Sequence, residues 1–348
     1  MRPSKDFQKA AFAIGAVVLL TVGIGVAGKA YRDRQVANMP PPVPRARLVV
    51  QPGAPVAADS QVGKAADSSA TNAAAQQPAA SRFEISLDPM DSYQDDLRES
   101  LLQELAPAFP DLPKFLREPP SRGPDPAYER LVFQLLDAAE NRPADQRPAR
   151  LLAADLVANT VTCPVENKEP CNQLRSDFAE HKLTLAYSEL GGGFYYQRDL
   201  LWRVWQQDPE TDWGERAFVL LLESGWDTST VCAKGSDQFR EVIGQGESFL
   251  RQHPASRQRA VVLFLVGQAY ATWWSLGNET ADSGMGDYVD PKRYNDGAEP
   301  ARVKAIGYFE QVEEGAPDTK FAEYARQILP ALGEHKIQNN YKFFCVYD

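Results

Sequence analysis

The feature that most constrains the fold is a mostly apolar run near the N-terminus that carries no charge. It covers residues 10–28 (AAFAIGAVVLLTVGIGVAG). As a helix rising about 1.5 Å per residue, a run of this length spans the hydrocarbon core of a bilayer. We therefore expect one transmembrane helix, preceded by a short basic segment at residues 1–9. Small residues such as Ala11 and Gly15 favour packing of two such spans as a weak homodimer.

The flanking charges do not decide the orientation of this helix, because basic side chains lie on both sides of it. They are Arg2, Lys5 and Lys9 before the run, and Lys29, Arg32 and Arg34 after it. A cleaved signal peptide with a weak site at residues 28–30 is the alternative. In either case we expect the rest of the chain to leave the cytoplasm. We predict a single-pass inner-membrane protein whose C-terminal part lies in the periplasm.

Residues 29–82 are rich in proline and alanine and contain few large apolar side chains. Such a stretch cannot bury enough apolar surface to offset the entropy lost on ordering. We expect a disordered linker that lets the folded part work at some distance from the membrane. The formal net charge of the chain is −10, and no stripe of Lys and Arg is present. This composition argues against a nucleic-acid partner.

From about residue 83 onward, apolar residues recur at the spacing of a helix face. The clearest face consists of Tyr128, Leu131, Val132, Leu135, Leu136 and Ala139. Helix starts are expected at or near Pro148, Asn172 and Pro300. Only residues 342–347 (KFFCVY) look extended. We predict an all-α fold of ten or so helices with essentially no sheet.

This folded part divides into an N-terminal helical region, residues 83–170, and a second region, residues 171–348. In the second region three helical segments each end in a proline. The prolines are Pro209, Pro254 and Pro317, and a new amphipathic helix begins a few residues after each. Helix pairs that cannot bury their faces alone, and therefore stack, are typical of an α-solenoid.

Two sets of residues in this region follow a known repeat pattern. The first is Leu263, Gly267 and Tyr270 in one helix, with Ala305, Phe309 and Pro317 in the next. The second is Gly192, Phe194, Leu201 and Pro209. The region resembles the tetratricopeptide repeat family, and also helical-repeat proteins of the bacterial envelope. The resemblance implies that the glycine permits close helix approach and that the alanine and aromatic residues interlock adjacent helices. An insert at residues 276–299 departs from the family pattern.

The four cysteines allow three pairings. Cys163 and Cys171 bracket a short polar segment (CPVENKEPC), which suits a local disulfide in an oxidising compartment. We predict this pair and, as the consequence, Cys232 with Cys345. The alternative is four reduced, partly buried thiols. No C-x-x-C pair is present and the three histidines are scattered, so we predict no zinc site.

One segment superficially resembles a catalytic motif. Glu223-Ser224 follows an apolar helix, as the catalytic Glu-Ser of lytic transglycosylases does. A carboxylic acid with a raised pKa protonates a glycosidic oxygen in such enzymes. The Gly-Leu-Met-Gln segment of that family is missing here. A helix that ends at Gly225 is the simpler interpretation.

The insert is rich in carboxylates, which could bind calcium, although their spacing does not fit an EF-hand loop. They are Glu279, Asp282, Asp287, Asp290 and Asp296. The leading prediction is a non-enzymatic scaffold that binds a protein or peptide partner in the cell envelope. We assign no catalytic residue, cofactor or metal ligand. Glycan cleavage by Glu223 and calcium binding by the insert are the alternatives.

Overall fold

The structure is a computed structural model. It describes residues 88–117, 126–140, 146–164, 168–188, 192–226, 237–278, 289–336 and 342–344. The chain divides into two units, residues 1–75 and 76–348, and every described residue belongs to the second. The predicted transmembrane helix, the linker, and Cys232 and Cys345 lie outside the described residues.

Helices dominate the described part of the chain, so the prediction of a mainly helical protein is confirmed. The α-helices are α1 Pro89–Leu105, α2 Leu112–Arg117, α3 Pro126–Glu140, α4 Arg147–Ala158, α5 Lys168–Glu180, α6 Asp199–Gln207, α7 Asp212–Glu223, α8 Gln238–Gln252, α9 Arg259–Gly277, α10 Asn295–Gly315 and α11 Lys320–Gly333. A short 3-10 helix, Pro291–Arg293, precedes α10.

The predicted helix starts agree with the structure to different degrees. Pro148 lies in the first turn of α4, where a missing N–H costs nothing because that N–H has no intrahelical acceptor. However, α5 begins before Asn172, and α10 begins at Asn295 with Pro300 inside it. A proline at this depth removes one intrahelical hydrogen bond. The asparagine and proline signals therefore locate these helices without marking their first residues.

One small sheet, which the sequence did not predict, accompanies the helices. Three antiparallel strands form a small sheet in the order β1-β3-β2. They are β1 Thr162–Pro164, β2 Leu185–Ser188 and β3 Gly193–Tyr196. Phe194 of β3 lies opposite both Cys163 of β1 and Tyr187 of β2. Strands of three or four residues are too short to show a two-residue alternation, so sequence periodicity could not detect them.

This sheet also corrects the second repeat match. Gly192 lies in a turn with φ +62°, and Phe194 lies in β3 rather than in a repeat helix. Of the four residues matched there, only Leu201 is helical, within α6, and Pro209 lies in the following turn. The predicted extended tail is described only at residues 342–344. There, the Phe343 carbonyl accepts a hydrogen bond from the Phe239 N–H at 2.9 Å, and its side chain is fully buried.

Helices that follow one another in the chain mostly pack together. Thus α3 packs on α4, α6 on α7, α8 on α9, α9 on α10 and α10 on α11. This stacking is compatible with a helical-repeat fold. Helix α1 departs from it, because it packs on both α4 and the last helix, α11. In an open solenoid each repeat contacts only its neighbours. Here α1 joins distant parts of the array.

The central helix is α9. Among the described helices it alone is long and apolar enough to cross a membrane, but 89% of its apolar window is buried inside the fold. It packs on α8 and α10, and its side chains are apolar on all sides, which is typical of a helix enclosed by others. Its apolar surface is therefore accounted for by the core of the folded unit.

Candidate functional site

A charged cleft lies where four helices meet. It has a volume of about 630 Å³ and is formed by the C-terminal ends of α3 and α5, the N-terminal end of α4 and one side of α6. Three acidic and three basic side chains line it: Asp137, Glu140, Glu180, Arg147, Lys182 and Arg203. We call this site the charged cleft. Its size is typical of ligand-binding pockets in proteins.

The turn after α5 supplies two cleft residues. The N–H of Leu183 donates to the Phe178 carbonyl at 2.8 Å, and the N–H of Lys182 donates to the Ala179 carbonyl at 3.0 Å. This is a Schellman ending, in which the left-handed position is usually glycine. Lys182 occupies that position with φ +59°. A side chain in this conformation costs about 1–2 kcal/mol, so the local backbone does not explain the choice of lysine.

His181, the other cleft residue of this turn, is held by an aromatic contact. Its imidazole stacks on the ring of Phe133 in α3, with centroids 4.3 Å apart and planes 13° apart. Phe133 also packs edge-on against the buried Phe178 of α5. These contacts join α3 to α5 immediately beside the cleft. They connect the two helices whose acidic ends line the cleft.

Four of the charged side chains in the cleft are unpaired. Among the described residues, Glu140, Glu180, Lys182 and Arg203 have no ion-pair partner within 4.0 Å. They therefore do not neutralise one another across the cleft. A single unpaired charge on a surface is ordinary, because water solvates it. Two charges of each sign in one cleft are a more specific feature, since a bound group could pair with them.

Arg147 differs from these four, because its guanidinium pairs with the carboxylate of Asp208 at 2.7 Å. The Asp208 side chain is 8% exposed. Within the described structure, the Arg147 Nε and the Asp208 Oδ2 are buried without a hydrogen-bond partner. A buried polar atom left in this state costs about 1–3 kcal/mol. One residue that lines the cleft, Arg147, thus carries a polar atom that the described part of the fold does not satisfy.

The arrangement can bind groups of both charges. Glu140 and Glu180 are the last residues of α3 and α5, where the helix dipole adds partial negative charge. These two ends of the cleft therefore attract cations. Arg203 on α6 and Lys182 attract anions. The sequence alone does not predict this site, because the cleft residues come from four elements and form no motif along the chain.

Glu223, the candidate general acid, lies elsewhere, at the end of α7. Both of its carboxylate oxygens accept hydrogen bonds from the Gln94 side-chain amide at 3.1 Å, and Lys342 Nζ lies 4.0 Å away. Burial is the main cause that raises the pKa of Glu223 above its ordinary value, and Lys342 opposes this effect. The helix ends as the simpler interpretation predicted, with Gly225 at φ +71°.

The first set of repeat residues is brought together by α9 and α10. A Cβ built on Gly267 would lie 3.1 Å from the Phe309 ring, so the two helices approach closely there. Ala305 and Phe309 are fully buried, and Leu263 is nearly so. Tyr270 donates a hydrogen bond to Glu247 at 2.7 Å and ties α9 to α8. Pro254 and Pro317 lie in the turns after α8 and α10.

The interruption between α9 and α10 is shorter than the predicted insert of residues 276–299, because α9 continues to Gly277 and α10 begins at Asn295. Asp290 caps the 3-10 helix by accepting a hydrogen bond from the Lys292 N–H at 3.1 Å. In the described ranges no group of three or more potential ligands could hold a metal ion. Glu279, Asp282 and Asp287 lie outside those ranges, so calcium binding stays a prediction.

Cys163 and Cys171 are disulfide-bonded, with Cα atoms 5.6 Å apart, as predicted. The bond joins β1 to α5, and both cysteines are 1% exposed. Since α5 ends at the charged cleft, this link holds one wall of the cleft against the sheet. The second predicted pair, Cys232 with Cys345, lies outside the described residues.

Comparison with known proteins provides no assignment of family or function. No protein-family model matches the chain, and neither a curated protein nor a solved structure matches it. The function must therefore be argued from the geometry of the charged cleft and from the sequence.

Proposed function

We propose that the protein is a membrane-tethered helical scaffold that binds a protein or peptide partner in the cell envelope. The N-terminal helix would hold it in the inner membrane, with the C-terminal part in the periplasm. The linker at residues 29–82 would give the folded unit reach. The observation that carries the proposal is the charged cleft. Its unpaired side chains of both signs could pair with a polypeptide, which presents charged side chains and backbone groups together.

The rest of the fold supports a binding role. The helices bury a continuous core, and the ends of α3, α4 and α5 meet at the cleft beside α6. A stacked helical array is a rigid support, so the cleft can be largely formed before a ligand arrives. A preformed site loses less conformational entropy on binding than a loop that must order itself.

Site-specific photo-cross-linking in native membranes tests this proposal. A photoreactive side chain replaces Gln207, which lines the cleft on α6. Val303 is the matched control position, because it lies on α10 and is 57% exposed. We expect a protein adduct from position 207 that is absent from position 303 and is lost in Arg203→Glu. Identical adducts at both positions, or no adduct at 207, would contradict the proposal.

Glycan cleavage by Glu223 is the second candidate function. The raised pKa of its carboxyl favours it, because a general acid must be protonated at the working pH. The Gln94 amide already occupies both carboxylate oxygens, which argues for a structural role. An assay of peptidoglycan cleavage by the purified protein decides between a catalytic and a structural role for Glu223. Activity lost in Glu223→Gln and retained in Glu310→Gln, an exposed control, would replace the scaffold proposal.

A further inference from the structure

We propose that the charged cleft binds a peptide segment carrying an acidic and a basic side chain, the acidic one at Arg203 and Lys182, the basic one at Glu140 and Glu180. This inference rests on the proposed scaffold function and specifies the chemistry of its partner. It follows from the four unpaired charges, two of each sign, that line one cleft.

The acidic groups of the cleft lie at the C-terminal ends of two helices, where the helix dipole is negative. Glu140 and Glu180 each end a helix, and neither α3 nor α5 has a basic residue in its last turn. A carboxylate at a helix C-terminus loses about 0.3–1 kcal/mol relative to a cation there. A lysine or arginine side chain of a ligand would reverse the sign of this interaction at both helix ends.

The basic side consists of Arg203 and Lys182, because Arg147 is already paired with Asp208. Arg203 lies on α6. That helix has an aspartate in its first turn and no basic residue in its last turn. Lys182 occupies a left-handed backbone position that glycine would fill at lower cost. An acidic side chain or a terminal carboxylate of a ligand would give both cations a partner.

A ligand with one sign of charge does not suit this cleft. An anion bound in the cleft would share it with the carboxylates of Glu140 and Glu180, and a bound cation would share it with Arg203 and Lys182. Like charges brought close together repel one another, and because Glu140, Glu180 and Lys182 are exposed, salt weakens this repulsion. A segment with both charges satisfies all four groups at once, and a volume of about 630 Å³ is sufficient for several residues.

The test uses the full chain in lipid nanodiscs and three fluorescent synthetic peptides of equal length. One peptide alternates lysine and glutamate, one is acidic throughout and one is basic throughout. Fluorescence anisotropy over a range of salt concentrations measures binding. We expect the mixed peptide to bind about tenfold more tightly than either of the others at low salt, an advantage that salt reduces.

Charge reversal provides a readout that loss of folding cannot imitate. Arg203→Glu should weaken the mixed peptide about tenfold and make the basic peptide the preferred ligand. Glu140→Lys should make the acidic peptide preferred. Arg130→Glu, an exposed position on α3 outside the cleft, is the matched control and should leave the order unchanged.

Equal binding of all three peptides by the unsubstituted chain would overturn the inference. So would failure of the mixed peptide to bind, or the same preference in Arg203→Glu as in Arg130→Glu. These outcomes are separate from the cross-link at position 207. An adduct there combined with no preference among the peptides would retain the scaffold function and reject this partner chemistry.

Discussion

Gly277 of α9 lies against Ala298 of α10, and a Cβ built on Gly277 would come within 2.5 Å of the Ala298 Cβ. It would also lie 3.1 Å from the Tyr294 carbonyl oxygen. Near the middle of α9, Gly267 faces Phe309 of α10 across the same interface. The two glycines therefore set how closely the two helices of the best repeat match can approach. Neither has a positive φ, so their role is steric rather than conformational.

Gly277→Ala should destabilise the fold by about 1–3 kcal/mol, because the new methyl group overpacks a buried interface whose nearest neighbours cannot rotate away. Gly307→Ala on α10 is the matched control, since a Cβ there meets nothing within 4 Å. That change should stabilise by up to about 1 kcal/mol through helix propensity. Urea denaturation of the fragment starting at Ser81 measures both. Equal changes in the free energy of unfolding of the two variants would show that the contact between Gly277 and Ala298 does not limit how closely the helices pack.

Arg198→Met should cost about 3–5 kcal/mol, because it leaves the carboxylate of Asp155 buried without its charge partner. Asp155 is completely buried and pairs with Arg198 at 2.9 Å. Arg98→Met is the control, since its partner Asp95 is 75% exposed and such pairs contribute about 0–1 kcal/mol. Chemical denaturation measures the free energy of unfolding of both variants. The second change Asp155→Leu should recover part of the loss, and no recovery would argue against an electrostatic cause.

Glu223→Gln should stabilise the protein at pH 7 and have no effect at pH 4. Burial raises the folded-state pKa of this carboxyl above its unfolded value, so the folded protein holds the proton more tightly. The stability from this site is complete below the unfolded pKa and is lost as the pH rises through the folded one. Glutamine imitates the protonated form, so we expect Glu223→Gln to raise the free energy of unfolding at neutral pH.

Thermal unfolding between pH 4 and pH 8 measures this gain. Glu310→Gln, on the exposed face of α10, should follow the unsubstituted protein at every pH. A variant less stable than the unsubstituted protein at pH 7 would mean that the ionised carboxylate, through Lys342 at 4.0 Å, contributes more than its burial costs.

Reduction of the Cys163–Cys171 disulfide should lower the free energy of unfolding by at most about 2–3 kcal/mol, because it closes only a short loop. It should also weaken peptide binding, since α5 carries part of the charged cleft. Urea titrations with and without reductant measure both effects. An unchanged midpoint would contradict the prediction. In the Cys163→Ser/Cys171→Ser double variant, any remaining effect of reductant would report the second predicted pair, Cys232 with Cys345.

The helix faces and helix ends expected from the sequence agree with the structure where a single segment of the chain contains the whole signal. The face Tyr128 to Ala139 is buried along α3, and Gly225 ends the α7 segment in a left-handed conformation. At Gly192 and Phe194 the sequence signal was misleading. Their spacing imitates a repeat helix, but a turn and a strand form there because β1 and β2 are available as partners on either side.

By itself, the sequence determined the helical class, the main helix faces, the turns that contain Pro209, Pro254 and Pro317, and the Cys163–Cys171 bond. Each depends on interactions within a few residues of the chain, and these are visible as periodicity, caps and short spacings. Only the tertiary structure decided the sheet, the position of α1 across the array and the charged cleft. A strand of four residues forms only when a neighbouring strand is present to pair with it. Glu140, Lys182 and Arg203 likewise form one site only when the ends of α3 and α5 pack beside α6.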